Sequence, residues 1–242
     1  HTDDPILACD QGVLLKRAIK STARKHGHVA CFMAKPFENE PGSGLHIHMS
    51  LTDKSGKNFF SNDNKKSSNP PFPKSLQYAI GGLAKTMAES TAIFAPNANS
   101  YRRLRPEMFA PVEPNWGWNH RNVALRIPLS NAKNLRFEHR TSGADANPYL
   151  VTAAILAGVH YGLKNKCDPG KMIGEGEVIK ELKQKLPHRW DQAINKFSKS
   201  KILPKYLGKR YCEFYTQHRL CESNRYHNNV PDLDFDWYLR GV

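Results

Sequence analysis

Apolar positions along the chain alternate between two periods. Over residues 4–26, Leu7, Leu14, Leu15, Ala18, Ile19 and Ala23 recur at helical spacing and Gly27 follows, which predicts a helix. Residues 74–91 predict another, with Leu76, Ile80, Leu83, Ala84 and Met87 turned inward. Residues 148–164 are apolar on almost every side, so a buried helix is expected there, with Asn147 as its N-cap and Pro148 in its first turn. Further helices are predicted near residues 175–185, 190–198, 204–226 and 233–239. Shorter stretches at residues 28–34, 42–52, 123–128 and 135–140 read as strands. Asp53-Lys54-Ser55-Gly56 makes a turn after which residues 58–60 pair back. Residues 61–73 are polar and proline-rich, hence a loop. Residues 92–118 lack a clear period, the mark of a working loop.

Composition narrows the class. The 242 residues allow one large domain or two small ones, with enough apolar content for a core. The net charge of +14 would suit a nucleic-acid binder. Yet the basic residues are scattered, as in Lys196, Lys199, Lys201, Lys205, Lys209 and Arg210, and read as a solvated face. No nucleic-acid motif occurs, so no nucleic-acid partner is expected. No apolar run approaches a membrane span, and no signal peptide opens the sequence. The five cysteines are dispersed and form no C-x-x-C pair, which argues against zinc and for reduced thiols in a cytoplasmic protein.

Two of the strands carry the chemistry. Residues two apart on a strand share a face. In Gly42-Ser43-Gly44-Leu45-His46-Ile47-His48-Met49-Ser50 this aligns His46 with His48, opposite Leu45, Ile47 and Met49. In Arg136-Phe137-Glu138-His139-Arg140 it aligns Arg136, Glu138 and Arg140. Two imidazoles, a carboxylate and two guanidiniums could hold a divalent cation and the phosphates it neutralises.

These stretches, in this order, resemble the catalytic domain of the glutamine synthetase family. Between them lie Asn99-Ser100-Tyr101-Arg102-Arg103-Leu104-Arg105-Pro106, Ala110-Pro111 and Arg121-Asn122-Val123-Ala124-Leu125-Arg126-Ile127-Pro128, which also match. Ala146-Asn147-Pro148-Tyr149-Leu150 follows, and in the family it opens a long buried helix. The resemblance covers nearly the whole chain. It implies an α+β fold in which a curved, largely antiparallel sheet lines the active site and helices pack outside. It also implies that the chain is a carboxyl-terminal catalytic fragment over residues 1–242, lacking the family's amino-terminal β-rich domain and its first metal-binding strands.

The activity implied is an ATP-dependent ligase. It would join the glutamate γ-carboxyl, through γ-glutamyl phosphate, to ammonia or an organic amine. Its cofactors would be ATP and Mg2+ or Mn2+. By resemblance His46 and Glu138 hold the metal, and His48 contacts the nucleotide phosphates. Arg121 and Arg126 clamp phosphate, Arg136 contacts the nucleotide, and Lys133 is a further nucleotide candidate. Arg103 and Arg140 hold carboxylates of the amino-acid substrate, while Gly42 lets backbone approach it. Two metal-site residues are too few, and in the family the other ligands come from the absent region. The fragment alone is therefore expected to be inactive and not to form the homo-oligomeric ring expected of the full-length protein.

Two departures bear on the substrate. Phe109 stands where glutamine synthetases place a glutamate that binds ammonium, and Pro41 replaces an asparagine. A benzyl group cannot accept a proton, which favours a larger amine and resembles the γ-glutamylpolyamine synthetase branch. Trp116 and Trp118, in the insert Glu113-Pro114-Asn115-Trp116-Gly117-Trp118-Asn119-His120, either offer aromatic faces to such an amine or merely pack a flap. Residues 170–185 show no match to a tyrosine-bearing regulatory loop, so nucleotidylation is not expected. The alternative reading is a non-catalytic family member serving as a nucleotide-binding or structural protein.

Overall fold

Asp4 opens the first helix as its residue type predicts. In the computed structural model, which describes residues 2–61, 72–106, 108–179 and 185–241, its carboxylate accepts the N–H groups of Ile6 (2.8 Å) and Leu7 (3.3 Å). Helix α1 spans Pro5–Lys25. Helices α2 (Lys74–Phe94) and α4 (Pro148–Asn165) pack against one another as the spine of the fold. Leu76, Ile80, Leu83 and Met87 of α2 are buried, as are Val151, Ala154, Ile155 and Val159 of α4. Asn147 caps α4 by accepting from the N–H groups of Tyr149 (3.0 Å) and Leu150 (3.3 Å).

The spine is close because three glycines meet where the helices cross. A Cβ added to Gly82 would fall on the Gly158 carbonyl oxygen and the Gly162 backbone, and one added to Gly162 would fall on the Tyr78 carbonyl oxygen. Glu89 of α2 is only half-buried, but its Oε1 has no hydrogen-bond partner. Burial raises its pKa, against hydrogen bonds from Ser200 and Leu203 and the charge of Lys196. The folded state then holds the proton more tightly than the unfolded chain, so stability falls as pH rises through the carboxylate range. Glu89→Gln is expected to abolish that fall and to stabilise the chain at pH 7 by up to about 1 kcal/mol. Urea midpoints of both proteins at pH 5 and pH 8 test this.

Over the spine lies a four-stranded sheet of three-residue strands: β1 (Ile47–Met49), β2 (Trp116–Trp118), β3 (Leu125–Ile127) and β4 (Phe137–His139), in the order β1-β4-β3-β2. β4 is antiparallel to both β1 and β3, and β2 runs parallel to β3. Trp116, Leu125, Ile127 and Phe137 point into the core shared with α2 and α4. A one-turn helix, α3 (Ser100–Arg103), sits within the aperiodic stretch. Helices α5 (Trp190–Ser198), α6 (Pro204–Leu207), α7 (Lys209–His227) and α8 (Asp232–Tyr238) complete the chain, with α5 packed between α2 and α7.

Several expected boundaries move. Residues 28–34 form no strand and pair with none among the described residues: Val29 is 95% exposed, and the segment is tied by the His28 N–H donating to the Ala23 carbonyl (2.9 Å) and the Ser43 N–H to the Ala34 carbonyl (2.8 Å). Residues 42–52 form a ladder only at β1, with single bridges at Gly44–Gly143 and Thr52–Asn58 on either side. The turn at Asp53 is present and Phe59 pairs back onto Leu51 (2.8 Å) before a 3-10 turn, Phe59–Ser61. The helix expected over residues 204–226 is broken by Gly208, whose φ of 87° no helix accommodates. Residues 175–176 form a turn and 177–179 no regular structure, rather than a helix. Residues 180–184, and 62–71 of the expected loop, lie outside the described residues.

Candidate active site

The site is built by strand alternation. On β4, Phe137 and His139 enter the core, so Glu138 and its neighbours Arg136 and Arg140 face the other way. On β1, Ile47 and Met49 pack against the core and leave His46 and His48 more exposed. The register then sets Glu138 opposite His48 on one side and Arg126 on the other. Four cross-strand and same-strand groups converge on this one carboxylate. Arg140 Nη1 donates to Oε1 (2.7 Å) and Arg126 Nη1 to Oε2 (3.0 Å). His46 Nδ1 lies 3.1 Å and His48 Nε2 3.8 Å from Oε1. The Glu138 side chain is only 4% exposed.

Burial alone would raise the pKa of Glu138. Hydrogen bonds from His46 and Arg126 and the charges of Arg140 and His48 outweigh it, and hold the carboxyl well below the usual range. The pKa of His48 is also lowered, by burial and by the nearby Arg136, His46 and Arg126, despite the attraction of Glu138. Arg136 Nε approaches His48 Nδ1 at 3.3 Å.

Arg103 enters from α3. It is buried, and donates to the carbonyls of Thr141 (2.9 Å) and Arg140 (3.4 Å). Burial pushes its pKa down to about 10, with Asp145 opposing and Arg140 reinforcing the shift. Its side chain passes so near the loop before β1 that a Cβ on Gly42 would lie 2.9 Å from its Cγ, and one on Gly44 2.9 Å from its Nη2. Gly42 is therefore required by Arg103 and by the Ala34 carbonyl at 2.6 Å, a constraint within the fold itself.

Two expected residues stand apart. Arg121 is exposed in the turn before β3 and, among the described residues, makes no hydrogen bond or ion pair. Lys133 lies exposed on a 3-10 turn, where its carbonyl accepts from Asn58 Nδ2 (3.1 Å). Trp116 is 1% exposed, packs edge-on to Phe72 and donates its Nε1–H to the Gly170 carbonyl (3.1 Å). Of the two readings of that residue, packing is the one the structure supports.

Three supporting residues escape the sequence reading. Asn119 accepts from Arg126 Nη2 (2.7 Å) while in the left-handed region at φ 48°, a conformation Asn tolerates better than most residues. Asp145 ties down the loop leading into α3, accepting from Ser100 Oγ (2.6 Å) and Asn97 Nδ2 (2.9 Å). His139 lies beneath the sheet, 4.5 Å from the Phe94 ring, with neither ring nitrogen hydrogen-bonded and its pKa pushed down by burial to about 3. The sequence signal for His139 was its odd position in the alternation.

Two guanidiniums, Arg126 and Arg140, thus flank the Glu138 carboxylate, while Arg136 lies against His48 and Arg103 against the backbone carbonyl of Arg140, a concentration of positive charge suited to phosphate or carboxylate ligands. His46 Nδ1 and Glu138 Oε1 also converge closely enough to share a cation. They fit part of a coordination sphere only. Among the described residues no group of three or more His, Cys, Asp or Glu side chains is disposed to hold a metal, and Mg2+ needs six ligands.

The catalytic domain of glutamine synthetase matches residues 1–238. The chain belongs to the glutamine synthetase family. Within this family it is 40% identical over 242 residues to gamma-glutamylputrescine synthetase PuuA of Escherichia coli, covering all of this chain and 50% of that protein. It is 36% identical over 240 residues to glutamate–isopropylamine ligase of a Pseudomonas species, covering 98% of this chain and 51% of that protein. It is also similar to the solved structure of GmaS without ligand, at a TM-score of 0.84 and 29% identity, covering 98% of this chain and 54% of that one. A GmaS–ADP complex gives a TM-score of 0.85 at 28% identity, covering 98% and 55%. The chain spans about half the length of the curated relatives it matches. The α+β architecture expected of the glutamine synthetase family is the one observed. No helix among the described residues is long and apolar enough to cross a membrane.

Proposed function

We propose that this chain supplies part of the active site of an ATP-dependent ligase that joins the γ-carboxyl of glutamate to an organic amine. The observation that carries the reading is Glu138, a carboxylate held ionised between Arg126 and Arg140 with His46 and His48 alongside. A carboxylate substrate is a poor electrophile until phosphorylated. Chemistry of that kind rests on positioning and on neutralising phosphate charge. Arg126, Arg136 and His48 would hold the nucleotide phosphates, and Arg103 and Arg140 the carboxylates of glutamate. Arg121, standing free, would reach the transferred phosphoryl group only by moving inward. Glu138 and His46 would contribute to a Mg2+ or Mn2+ site whose remaining ligands come from outside this chain; the bound ion would supply charge neutralisation.

An organic amine rather than ammonia is supported by Phe109, which offers no carboxylate to ammonium, and by the amines in the names of two relatives. The full protein containing this chain should release ADP with glutamate and putrescine or isopropylamine. The expected kcat/KM exceeds that with ammonium by about tenfold or more. Equal or faster turnover with ammonium would reject the amine preference. Nucleotide binding without turnover on any amine would instead establish the non-catalytic reading.

A further inference from the structure

We infer that a cleft beside α3, separate from the Glu138 cluster, is a second anion site for a small ligand bearing clustered negative charge, either phosphate or carboxylate. The cleft has a volume of about 260 Å3 and lies between α3, the approach to α5 and the end of α7. Arg102, Arg105, His188, Arg189 and His227 line it, against one acid, Asp191. Asp191 is already engaged by Arg189 at 3.2 Å. Arg102 and Arg105 have no carboxylate partner among the described residues. Arg102 Nη2 donates only to the Tyr226 hydroxyl (3.2 Å), and Arg105 Nε to the Arg102 carbonyl (3.1 Å), which leaves most of each exposed guanidinium unused.

Tyr101 and Trp190, both buried, form part of its wall. Uncommitted guanidiniums around a cleft are what an anion rich in acceptor oxygens satisfies, and guanidinium forks match phosphate and carboxylate alike. The Glu138 cluster does not contribute: none of its residues lines the cleft, and Arg103, the next residue of α3, turns instead to the carbonyls of Arg140 and Thr141. The inference is independent of the ligase reading.

Calorimetric titration of this chain tests it, with inorganic phosphate in one arm and citrate in the other. Saturable binding of at least one probe is expected. It should weaken about tenfold or more in the double variant R102Q/R105Q, the loss of one or two charge-assisted pairs. It should persist in R136Q, which removes a guanidinium from the Glu138 cluster. Because Arg102 also holds Tyr226, His188→Ala serves as a second variant outside α3, with circular dichroism confirming its fold, and should bind severalfold more weakly. A preference for phosphate or for citrate identifies which oxyanion the site takes. Binding unchanged in R102Q/R105Q and His188→Ala, binding lost only in R136Q, or no binding of either probe would overturn the inference.

Discussion

Glu138→Gln is expected to lower amine-dependent ADP release by the intact protein by about 10^3-fold or more, on the scale of losing a charged group that organises a polar active site. The substitution is isosteric, so the loss is electrostatic. Oε1 accepts from Arg140 and His46 while Oε2 accepts from Arg126, so both positions face donors. An amide must turn its own NH2 toward one of them. The two guanidiniums of Arg126 and Arg140 are then left against a neutral group, and they separate. Breaking a buried ion pair by removing one partner costs about 3–5 kcal/mol. Arg126 and Arg140 retain 18% and 12% side-chain exposure, which places the expected loss of stability toward the lower end, near 3 kcal/mol. Urea unfolding of this chain reads the stability term, and the coupled assay reads the catalytic one. A variant retaining a tenth of wild-type turnover would remove Glu138 from the centre of the mechanism.

The largest expected effect on folding lies on the other side of the sheet. Gly162→Ala directs a methyl group at the Tyr78 carbonyl oxygen, and it would also come within 2.8 Å of the Gly82 Cα and N. Those atoms are backbone of a helix buried along most of its length, so relief requires α2 and α4 to move apart. Overpacking of a core costs about 1–3 kcal/mol when side chains can yield, and here none can, so a loss of at least 3 kcal/mol is expected. That is a large part of the stability of an ordinary domain, about 5–15 kcal/mol. Gly12→Ala is the internal control: Gly12 lies within α1 with nothing within 4 Å of a new Cβ, and the change should stabilise by about 0.5–1 kcal/mol. Thermal melts of the two variants should shift in opposite directions, and a Gly162→Ala melt near wild type would refute the close crossing.

The helices were legible because their signals are local. Asn147 caps the helix it was expected to cap, the first helix begins beside Asp4, and the apolar period of residues 74–91 appears as the buried face of α2. The facing of His46, His48, Arg136, Glu138 and Arg140 was legible for the same reason, since alternation along a strand needs no knowledge of its neighbour. What depends on pairing was not. Nothing local shows that β2 runs parallel to β3, that Trp116 therefore enters the core, or that residues 28–34 pair with no strand among the described residues. That Arg126 has Glu138 as its cross-strand neighbour depends on the register, which no local pattern shows. Asn119 and Asp145 act through contacts 7 and 45–48 residues away, beyond any single periodic window.

Phe109 holds its backbone at φ 56°, in the left-handed basin, and the residue is 78% exposed. For a residue with a Cβ that basin costs roughly 1–2 kcal/mol, and an exposed ring recovers little of it by burial. Glycine or asparagine would suit the conformation better. On the proposed ligase reading, that solvent-facing side chain is available to an incoming amine, and the backbone bears the cost of presenting it.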